Sequence, residues 1–202
     1  FKVVEDFEIA VSKYTGAPTV IATDSCTNAL GIALEFLFRK IGGENYVINI
    51  PRYTYISIPN QIKRARFNVS FRDEDWSGEY QLRGFELWDS ARRFRKDMWY
   101  EDGPAIRDRI NDGVIRYKCV SFHATKILGH TQGGAILTND AELKQFAREM
   151  RHDGRRFDVK DWQPRLLGRH DYLSPDVAAA LLWKLHHLPT HNEDLPNDDY
   201  PD

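Results

Sequence analysis

Hydrophobic and polar positions along the chain follow two different periods. Apolar residues recur at helical spacing between residues 3 and 14, and Gly16 ends the pattern, which predicts an N-terminal amphipathic helix. Residues 19–23 form a short apolar run typical of a buried strand. Residues 27–40 carry a second, stronger helical stripe that a glycine pair ends. The chain therefore begins with a helix, a strand and a helix.

The same alternation continues towards the end of the sequence. Further strands are predicted at 46–50, 67–71, 85–88, 119–122 and 133–138, and further helices at 51–66, 139–150 and 174–188. Strands that alternate with helices in this way favour an α/β protein. We expect one domain over residues 1–202, a three-layer αβα sandwich around a mostly parallel mixed sheet.

Two stretches depart from the regular pattern. Residues 98–116 are rich in turn signals, with a short helix expected near residues 105–110. Residues 192–202 are polar and acidic, and we expect this tail to be loosely held.

The composition is that of an ordinary globular protein, since 42% of the 202 residues are hydrophobic and 29% are charged. A net charge of −2 and a pI of about 6.4 argue against a nucleic acid or an anionic membrane as the main partner. Residues 91–96 form a local basic run with acidic residues close behind it. This run predicts a solvated face or a patch for a phosphorylated substrate.

Cysteine usage and targeting signals exclude several classes of protein. Cys26 and Cys119 do not have the spacing of a disulfide framework or a zinc site, so no metal is expected. No apolar run approaches the length of a membrane span, and the first residues lack the layout of a signal peptide. The expected compartment is the cytoplasm.

A polar loop lies between the two strand-like runs at 119–122 and 133–138. Strands that flank such a loop place its side chains at a sheet edge, where functional sites tend to lie. Lys126 is the residue of this loop with the widest chemistry. It is either a surface charge with a snorkelling stem or an amine that acts as a nucleophile and a base.

A second candidate site follows the first predicted strand. Asp24, Ser25, Thr27 and Asn28 form a small polar turn directly before the helix at 27–40. The N-terminus of a helix binds phosphate through its free N–H groups and its dipole. An ordinary helix cap is the plainer interpretation of the same residues.

The loop around Lys126 resembles a family signature. Residues 121–126 read S-F-H-A-T-K and residues 132–134 read Q-G-G, which is similar to the S-F-H-x-x-K…E-G-G signature of the DegT/DnrJ/StrS family of nucleotide-sugar aminotransferases. The resemblance implies the large domain of a fold type I transferase, with pyridoxal 5'-phosphate (PLP) as a Schiff base on Lys126. It further implies that Ser121 binds the PLP phosphate. His123 would assist substrate handling or make a structural hydrogen bond.

Two earlier segments resemble further motifs of the same family. Residues 25–30 are similar to the S-G-T-A-A-L phosphate loop, which implies that Ser25, Cys26 and Thr27 hold the PLP phosphate. The segment P-R-Y-T-Y resembles P-x-x-T-aromatic, which implies that Tyr55 stacks on the pyridine ring. A plain core aromatic is the alternative for Tyr55.

The sequence D-S-A-R at residues 89–92 resembles the E-D-A-A-Q motif of the family. The resemblance implies that Asp89 pairs with the ring nitrogen of PLP and keeps it protonated, which makes the ring an electron sink. Arg92 stands where the family has a glutamine near the phenolic oxygen of the cofactor. It would contact that oxygen or a substrate phosphate.

Residues 168–174 resemble the G-x-N-x-R-M-x motif, with His170 in place of the asparagine and Tyr172 in place of the arginine. In the family this asparagine reaches the PLP phosphate of the partner subunit. The resemblance therefore implies a homodimer with the active site at the interface. Aromatic residues mixed with arginines at 92–100 match the composition of interface cores, and two-fold dimers are the commonest oligomers.

Five motifs thus occur in the order of the family over nearly the whole chain. They imply a PLP-dependent aminotransferase that acts on a nucleotide-linked keto-sugar, with an amino acid such as glutamate as the amino donor. Lys126 would move the proton between the substrate Cα and the cofactor.

A function of another class stays open as an alternative. The sequence lacks the long insertion that family members carry after residue 72 and their C-terminal small domain, so we expect a compact member. This favours, as the alternative, a PLP-fold partner or regulatory protein without turnover. A PLP-dependent sugar dehydratase is disfavoured, because histidine replaces the lysine in that relative.

Overall fold

The computed structural model describes residues 1–43, 45–100, 113–156 and 163–197. In these residues, helices and strands alternate over residues 2–72, whereas the later strands follow one another and the last two helices come after them. The helices are α1 (Lys2–Thr15), α2 (Cys26–Ile41), α3 (Ser57–Arg64), α4 (Ala141–Met150) and α5 (Pro175–His186). The strands are β1 (Thr19–Thr23), β2 (Val47–Pro51), β3 (Asn68–Arg72), β4 (Tyr80–Gln81), β5 (Leu87–Asp89), β6 (Tyr117–Ser121) and β7 (Gly134–Thr138). The helix predicted near residues 105–110 lies outside the described residues.

The main sheet has five strands in the order β1-β7-β6-β5-β4, and β2 and β3 form a parallel pair beside it. A bridge between Asn49 and Arg83 links β2 to the chain that follows β4. β1, β5 and β6 run in one direction, while β7 and β4 run against their neighbours. The carboxyl ends of β1, β5 and β6 therefore meet at one edge of the sheet.

The sheet is mixed, but the prediction that it is mostly parallel is wrong for the five-stranded part. There, β5–β6 is the one parallel pair, and the other three pairs are antiparallel. The connections explain the difference, because a parallel pair needs a long crossover. β4 and β5 are joined by a tight turn in which the Leu82 N–H donates to the Leu87 carbonyl at 2.8 Å.

Helices cover both faces of this sheet. Side chains that point to one face, such as Ile21, Cys119 and Ile136, pack in a core with α2, α3 and α4. Their neighbours along the strands pack on the other face with α1 and α5, as Val120 does. The alternation follows from the two-residue period of a strand. Both cores thus share the strands β1, β7 and β6.

The outer edge of β1 is covered by a buried ion pair. The Ala22 N–H donates to Glu8 Oε1 at 2.9 Å, and Arg151 donates to the Ala22 carbonyl. Arg151 Nη1 also lies 2.6 Å from Glu8 Oε1, and both side chains are buried. One residue further along, Thr23 forms an antiparallel bridge with Tyr172. Side chains from α1 and from the end of α4 therefore satisfy the edge of the sheet.

A second buried charge network lies beneath β5 and β6. Lys118 is fully buried, with its Nζ 3.0 Å from Glu79 Oε1. Arg93 Nη1 lies 2.6 Å from the same Glu79 oxygen, and Arg93 Nη2 lies 2.6 Å from Asp194. The prediction of a solvated face at residues 91–96 is therefore wrong at Arg93, because interior carboxylates neutralise this cation.

The same contacts hold the chain after α5. The Leu195 N–H donates to the Arg92 carbonyl at 2.9 Å, and Asn192 Nδ2 donates to the Tyr14 hydroxyl at 2.9 Å. Residues 192–197 are therefore bound to the body of the domain, contrary to the predicted loose tail. Residues 198–202 lie outside the described part of the chain.

Residues 92–100 also differ from the prediction. Phe94, Met98 and Trp99 are buried in the core under α1 and α5 of their own chain. Their composition reflects this core, so it no longer supports a subunit interface. Of the described helices, none is both long and apolar enough to cross a membrane.

The ion pair at the edge of β1 gives a first prediction. Glu8→Ala leaves the Arg151 charge buried beside an unpaired Ala22 N–H, so we expect a loss of about 3–5 kcal/mol in the free energy of unfolding. Asp6→Ala is the matched control, because Asp6 lies on the same helix in an exposed pair with Lys2. Urea unfolding at pH 7 measures both. Equal losses in the two variants would contradict a special role for the Glu8–Arg151 pair.

Candidate functional site

Three strand ends bring the predicted site residues together. Asp89 ends β5, Ser121 ends β6, and Ser25 follows the end of β1. The register places Asp89 opposite Cys119, two residues before Ser121. Gly134, the first residue of β7, lies opposite both Ser121 and Thr23. The loops that carry the candidate chemistry therefore start side by side at one sheet edge.

A close contact locks two of these loops together. A bridge joins Ser25 to Gly133, and a Cβ atom built on Gly134 would overlap the backbone of Ser25 and Cys26. Gly133 also has a φ of 134°, which favours glycine. The start of β7 can lie against the first turn of α2 because these two residues have no side chain. The pair is the G-G of the predicted signature.

The first turn of α2 has the geometry of an anion site. Ser25 is the N-cap, and its Oγ accepts from the Asn28 N–H at 3.2 Å. The Thr27 hydroxyl lies 2.9 Å from the Ser57 hydroxyl at the start of α3. The initial N–H groups of a helix lack partners within the helix and favour an anion. The cap and a geometry suited to an anion thus occur on the same residues.

Cys26 contributes to this turn through its backbone. Its side chain is buried in the core with α2, and burial raises the pKa of the thiol well above its ordinary value. The negative charge of Asp89 acts in the same direction, while Lys126 opposes it. Cys26 is not among the described residues with a positive φ. Its backbone therefore does not require glycine, so a cysteine fits at the position where the family has glycine.

Asp89 is a buried carboxylate with both oxygens engaged. Oδ1 accepts from the Ala91 N–H at 3.0 Å, and Oδ2 accepts from the Tyr80 hydroxyl at 2.9 Å. Burial raises the pKa of Asp89 above its ordinary value, and these two hydrogen bonds oppose the rise. The positive charges of Lys126 and Arg92 also lower this pKa, so both side chains lie near the carboxylate.

Lys126 sits in a compact turn after β6. Its N–H donates to the His123 carbonyl at 2.8 Å, and the His130 N–H donates to the Phe122 carbonyl at 2.9 Å. The lysine side chain is half-buried, and its charge acts on both Asp89 and Cys26. The structure therefore brings together the amine, the carboxylate and the helix N-terminus that the sequence singled out.

Ser121 and His123 lie at the start of this turn. Ser121 is buried, and its Oγ accepts from the His123 N–H at 3.3 Å. The His123 ring is exposed, with Nδ1 3.2 Å from the Thr125 hydroxyl. The hydrogen bond that His123 makes in this chain is thus local to the turn.

Tyr55 lies at the same edge, after β2. Its ring is 56% exposed, so it is not the core aromatic that the plainer alternative expected. Thr54 beside it is hydrogen-bonded to the Tyr80 hydroxyl, which contacts Asp89. Two hydrogen bonds therefore connect the segment of the predicted stacking ring to the predicted ring-nitrogen carboxylate.

His170 makes its contacts within its own chain. It is exposed, and its Nδ1 lies 3.1 Å from Asp153 Oδ2. Its hydrogen bond lowers the pKa of Asp153. The rings of His170 and Tyr172 meet edge to face at 4.7 Å. The predicted reach of His170 into a partner subunit stays a prediction.

Sequence reasoning missed Tyr80 and its supports. Tyr80 lies in the segment between residues 72 and 84, which we interpreted only as a shortened connection. Its ring packs against Trp76 with centroids 4.6 Å apart, and Trp76 Nε1 donates to the Tyr53 carbonyl at 2.8 Å. The available signal was the glycine turn at 83–84 between two short runs, which is typical of a hairpin.

A cavity of about 600 Å³ lies elsewhere, between the start of α1, α4 and residues 151–156. Its walls are rich in basic side chains, but none of the predicted site residues lines it. We place the site at the sheet edge because the amine, the carboxylate and the helix N-terminus converge there and not in the cavity. In the described ranges, no group of histidine, cysteine, aspartate or glutamate is arranged to hold a metal ion.

The residue types at this sheet edge are those that PLP binding requires. A pyridine aldehyde phosphate needs an amine for attachment, an anion site for its phosphate and a carboxylate for its ring nitrogen. Lys126, the first turn of α2 and Asp89 are these three groups. Arg92 is buried close to Asp89, and its N–H donates to the Gly78 carbonyl at 3.2 Å.

Comparison with known proteins gives a family match. The sequence model of the DegT/DnrJ/EryC1/StrS aminotransferase family matches residues 2–79 and 111–194. The unmatched stretch between these ranges contains Tyr80, Asp89 and Arg92. The assignment of Asp89 and Arg92 therefore rests on the D-S-A-R motif and on their positions in the structure, and that of Tyr80 on the structure alone.

Two curated relatives have related printed activities. The chain is 25% identical over 181 residues to a dTDP-3-amino-3,4,6-trideoxy-alpha-D-glucose transaminase of Micromonospora megalomicea subsp. nigra, covering 75% of this chain and 48% of that protein. It is 28% identical over 106 residues to a dTDP-4-amino-4,6-dideoxy-D-glucose transaminase of Shigella dysenteriae, covering 50% of this chain and 28% of that protein. The chain thus spans about half or less of the length of these relatives.

Solved structures share the fold. Helicobacter pylori PseC, an aminotransferase involved in the biosynthesis of pseudoaminic acid, gives a TM-score of 0.69 at 16% identity and covers 94% of this chain and 58% of its own. A Brucella abortus DegT DnrJ EryC1 StrS aminotransferase gives a TM-score of 0.68 at 22% identity, and the match covers 93% of this chain and 59% of that protein. Bacillus subtilis NtdA, solved with the bound cofactor PMP, gives a TM-score of 0.67 at 20% identity, and the match covers 92% of this chain and 48% of that protein. At these identities the likeness concerns the fold.

Proposed function

Because the chain belongs to the DegT/DnrJ/EryC1/StrS aminotransferase family, we propose that it is the PLP-binding domain of a sugar aminotransferase. We assign it to the large domain of the fold type I transferases, with its sheet between two helical layers. The observation that carries the proposal is the convergence of Lys126, Asp89 and the first turn of α2 at one sheet edge. The amino acceptor is a keto-sugar linked to a nucleotide.

The substrate class is supported by the relatives. Both curated transaminases described above act, by their printed names, on amino-deoxy-glucose linked to dTDP. An amino acid such as glutamate is the proposed amino donor. Since the chain spans only part of those proteins, the activity and the substrate are proposals for the protein as a whole.

Lys126 is the proposed attachment and proton-transfer residue. When bound, PLP supplies a ring that withdraws electrons from the substrate Cα. The Lys126 Nζ holds the cofactor before the substrate enters and then carries the proton to and from that Cα. Its half-buried position near Asp89 would leave the amine close to a cofactor ring that is paired with this carboxylate.

Asp89 is the proposed partner of the ring nitrogen. A carboxylate there must be ionised, although burial favours its neutral form. The Ala91 N–H, the Tyr80 hydroxyl and the charges of Lys126 and Arg92 offset part of this cost, while the pKa of Asp89 stays above its ordinary value. The surroundings of Asp89 therefore stabilise the form that the role requires.

The phosphate is assigned to the first turn of α2. We propose that the backbone N–H groups of Cys26 and Thr27 bind it, with the hydroxyls of Ser25, Thr27 and Ser121. Tyr55 would cover the ring, and Arg92 would contact the phenolic oxygen or a substrate phosphate. His123 is the candidate for substrate contact, since its ring is exposed beside the turn of Lys126.

A PLP-fold partner or regulatory protein without turnover is the second candidate. The observation that favours it is the exposure of Tyr55 and His123 at the sheet edge, where both side chains face solvent in the described residues. Purified protein that binds PLP but transfers no amino group from glutamate to a panel of nucleotide-linked keto-sugars would support this candidate over the aminotransferase.

We further propose a homodimer with the site at the subunit interface. The exposure of Tyr55 and His123 supports it, because a second copy would cover these side chains. His170 supports it as well, since its exposed ring occupies the position from which the family reaches the partner subunit.

The first test of this function concerns Lys126. Wild type mixed with PLP and reduced with borohydride should carry a pyridoxyl group on the peptide that contains Lys126. Lys126→Arg keeps the cation but cannot attach the aldehyde, so it should carry none. Lys144→Ala is the matched control and should behave like wild type. Visible absorption and peptide mass spectrometry provide the readout. An adduct that persists in Lys126→Arg would exclude Lys126 as the attachment residue.

The second test replaces Asp89 by asparagine. Turnover should fall by several factors of ten, at about 1.4 kcal/mol of barrier for each factor. The free energy of unfolding of the protein without PLP should instead rise in this variant. The folded pKa of Asp89 is raised, so its ionisation destabilises the fold as pH rises above the ordinary value of about 4. Asp89→Asn should therefore be more stable than wild type at pH 7, and this difference in stability should be smaller at pH 4.5.

The control for this pH dependence is Asp153→Asn. The pKa of Asp153 is lowered by His170, so ionisation of Asp153 stabilises the fold above its ordinary pKa. Asp153→Asn should therefore lose stability at pH 7, and urea unfolding of the protein without PLP compares the variants. A near wild-type turnover in Asp89→Asn would remove Asp89 from the mechanism.

The dimer is tested by mixing inactive variants. Lys126→Ala and His170→Ala should each be inactive, and hybrid dimers should regain one complete site if His170 acts across the interface. Lys126→Ala mixed with Asp89→Asn is the matched negative control, because both residues lie in one site of the same chain. Activity that returns equally in both mixtures, or a monomer in sedimentation that still binds PLP tightly, would contradict the proposal.

A further inference from the structure

We infer that Tyr80 is a positioning residue for Asp89: its hydroxyl, held in turn by Thr54, fixes one oxygen of the carboxylate and keeps the group ionised where the cofactor ring nitrogen binds. The inference rests on the proposed function for the cofactor. It adds a role for a residue that the family match does not cover.

The hairpin of β4 and β5 sets the position of Tyr80 relative to Asp89. Tyr80 and Asp89 are paired across β4 and β5, and both side chains are buried. The Tyr80 hydroxyl donates to Asp89 Oδ2 at 2.9 Å, while the Ala91 N–H donates to Oδ1 at 3.0 Å. One hydrogen bond on each oxygen fixes the plane of the carboxylate. A second lone pair remains on each oxygen for a ring N–H.

The donor count gives the direction of the chain of hydrogen bonds. Tyrosine has one hydroxyl proton, and Tyr80 donates it to Asp89. The Tyr80 oxygen must therefore accept the proton of the Thr54 hydroxyl to which it is bonded. Thr54 thus donates to Tyr80, and Tyr80 donates to Asp89. Such a chain polarises each member and strengthens the final bond to the carboxylate.

Packing holds the tyrosine ring in place. Trp76 meets the Tyr80 ring at a centroid distance of 4.6 Å and an interplanar angle of 61°. The Trp76 Nε1 donates to the Tyr53 carbonyl at 2.8 Å. The segments around Tyr53 and Tyr80 are therefore tied by two separate links. Since Tyr55 follows Thr54 directly, the same links set the distance from the proposed stacking ring to Asp89.

The hairpin is a feature of this chain outside the matched family sequence. The family model stops at residue 79 and resumes at residue 111. Both Tyr80 and Asp89 lie within that gap, joined by the turn at Gly84, whose φ is 121°. A local hairpin can supply a donor to the carboxylate without any long-range contact, because its register alone sets the two side chains opposite each other.

Other charged groups also act on Asp89, and the test must separate them from Tyr80. Lys126 and Arg92 favour its ionised form. The thiols of Cys26 and Cys119 also face it, and both are neutral at pH 7 because burial raises their pKa values. Tyr80→Phe leaves all four groups and the ring packing unchanged. It removes the single hydroxyl.

The experiment compares Tyr80→Phe with Tyr117→Phe. Tyr117 is also buried in the sheet, and its hydroxyl donates to Asp140 Oδ2 at 2.7 Å, at the N-cap of α4. The carboxyl ¹³C signal of Asp89, identified by its loss in Asp89→Asn, is titrated in the protein without PLP. We expect the pKa of Asp89 to rise further in Tyr80→Phe and to stay at the wild-type value in Tyr117→Phe.

The loaded protein supplies a second readout. Loss of one hydrogen bond to a charged group should weaken PLP binding about tenfold in Tyr80→Phe. The pH range over which the visible spectrum of the bound cofactor changes should move, relative to wild type, in the same direction as the pKa of Asp89. Thr54→Val keeps the Tyr80 hydroxyl but removes its donor. It should shift both readouts in the same direction by a smaller amount.

The outcomes separate this inference from the proposed function. Wild type that does not bind PLP would overturn the proposed function, and the inference about the ring nitrogen would fall with it. Wild type that binds PLP, with an Asp89 titration in Tyr80→Phe identical to wild type, would overturn the inference alone. Equal shifts of Asp89 in Tyr80→Phe and Tyr117→Phe would also overturn it, because they would reflect a general loss of stability.

Discussion

The absence of two side chains at the start of β7 is the constraint on which the site depends. Gly133 and Gly134 let this strand approach the first turn of α2 so closely that any Cβ at Gly134 would meet the backbone of Ser25 and Cys26. The contact fixes the helix N-terminus beside the end of β6. Since β5 pairs with β6 in register, the position of Asp89 follows as well. One backbone contact thus sets the spacing of the anion site, the lysine turn and the carboxylate.

Buried charge is concentrated around this edge, and its balance is local. Ser90 follows Asp89 and donates to Glu79 Oε2 at 2.6 Å, while Lys118 and Arg93 neutralise the same glutamate. Every buried charge in this region has an opposite charge or a donor close to it, as the cost of burial requires. Asp89 also has such partners, but burial still raises its pKa above the ordinary value. A site that gives up stability for a chemical role has this pattern.

The sequence was sufficient for the elements with strong local signals. The stripe of α2, its serine cap and its glycine end are all local, and the structure has them within one or two residues of the prediction. The convergence of Lys126 and Asp89 was also predictable, because motif order and strand direction decide it. The hairpin of Tyr80 left only its glycine turn as a sequence signal, since its two-residue strand is too short to show a period. The bound tail was missed because its hydrogen bonds join residues about a hundred positions apart, as Arg93 and Asp194 are.

The place of β1 in the sheet has a consequence for the synthesis of the protein. β1 is complete at Thr23 but pairs with β7, which begins at Gly134, and α1 packs against α5 still later in the chain. Contacts between residues so far apart in sequence slow folding. While the chain emerges from the ribosome, the face of α1 that packs against α5 therefore stays uncovered for more than a hundred residues. Hydrophobic surface that is exposed for this long makes the nascent chain prone to aggregation and a substrate for chaperones.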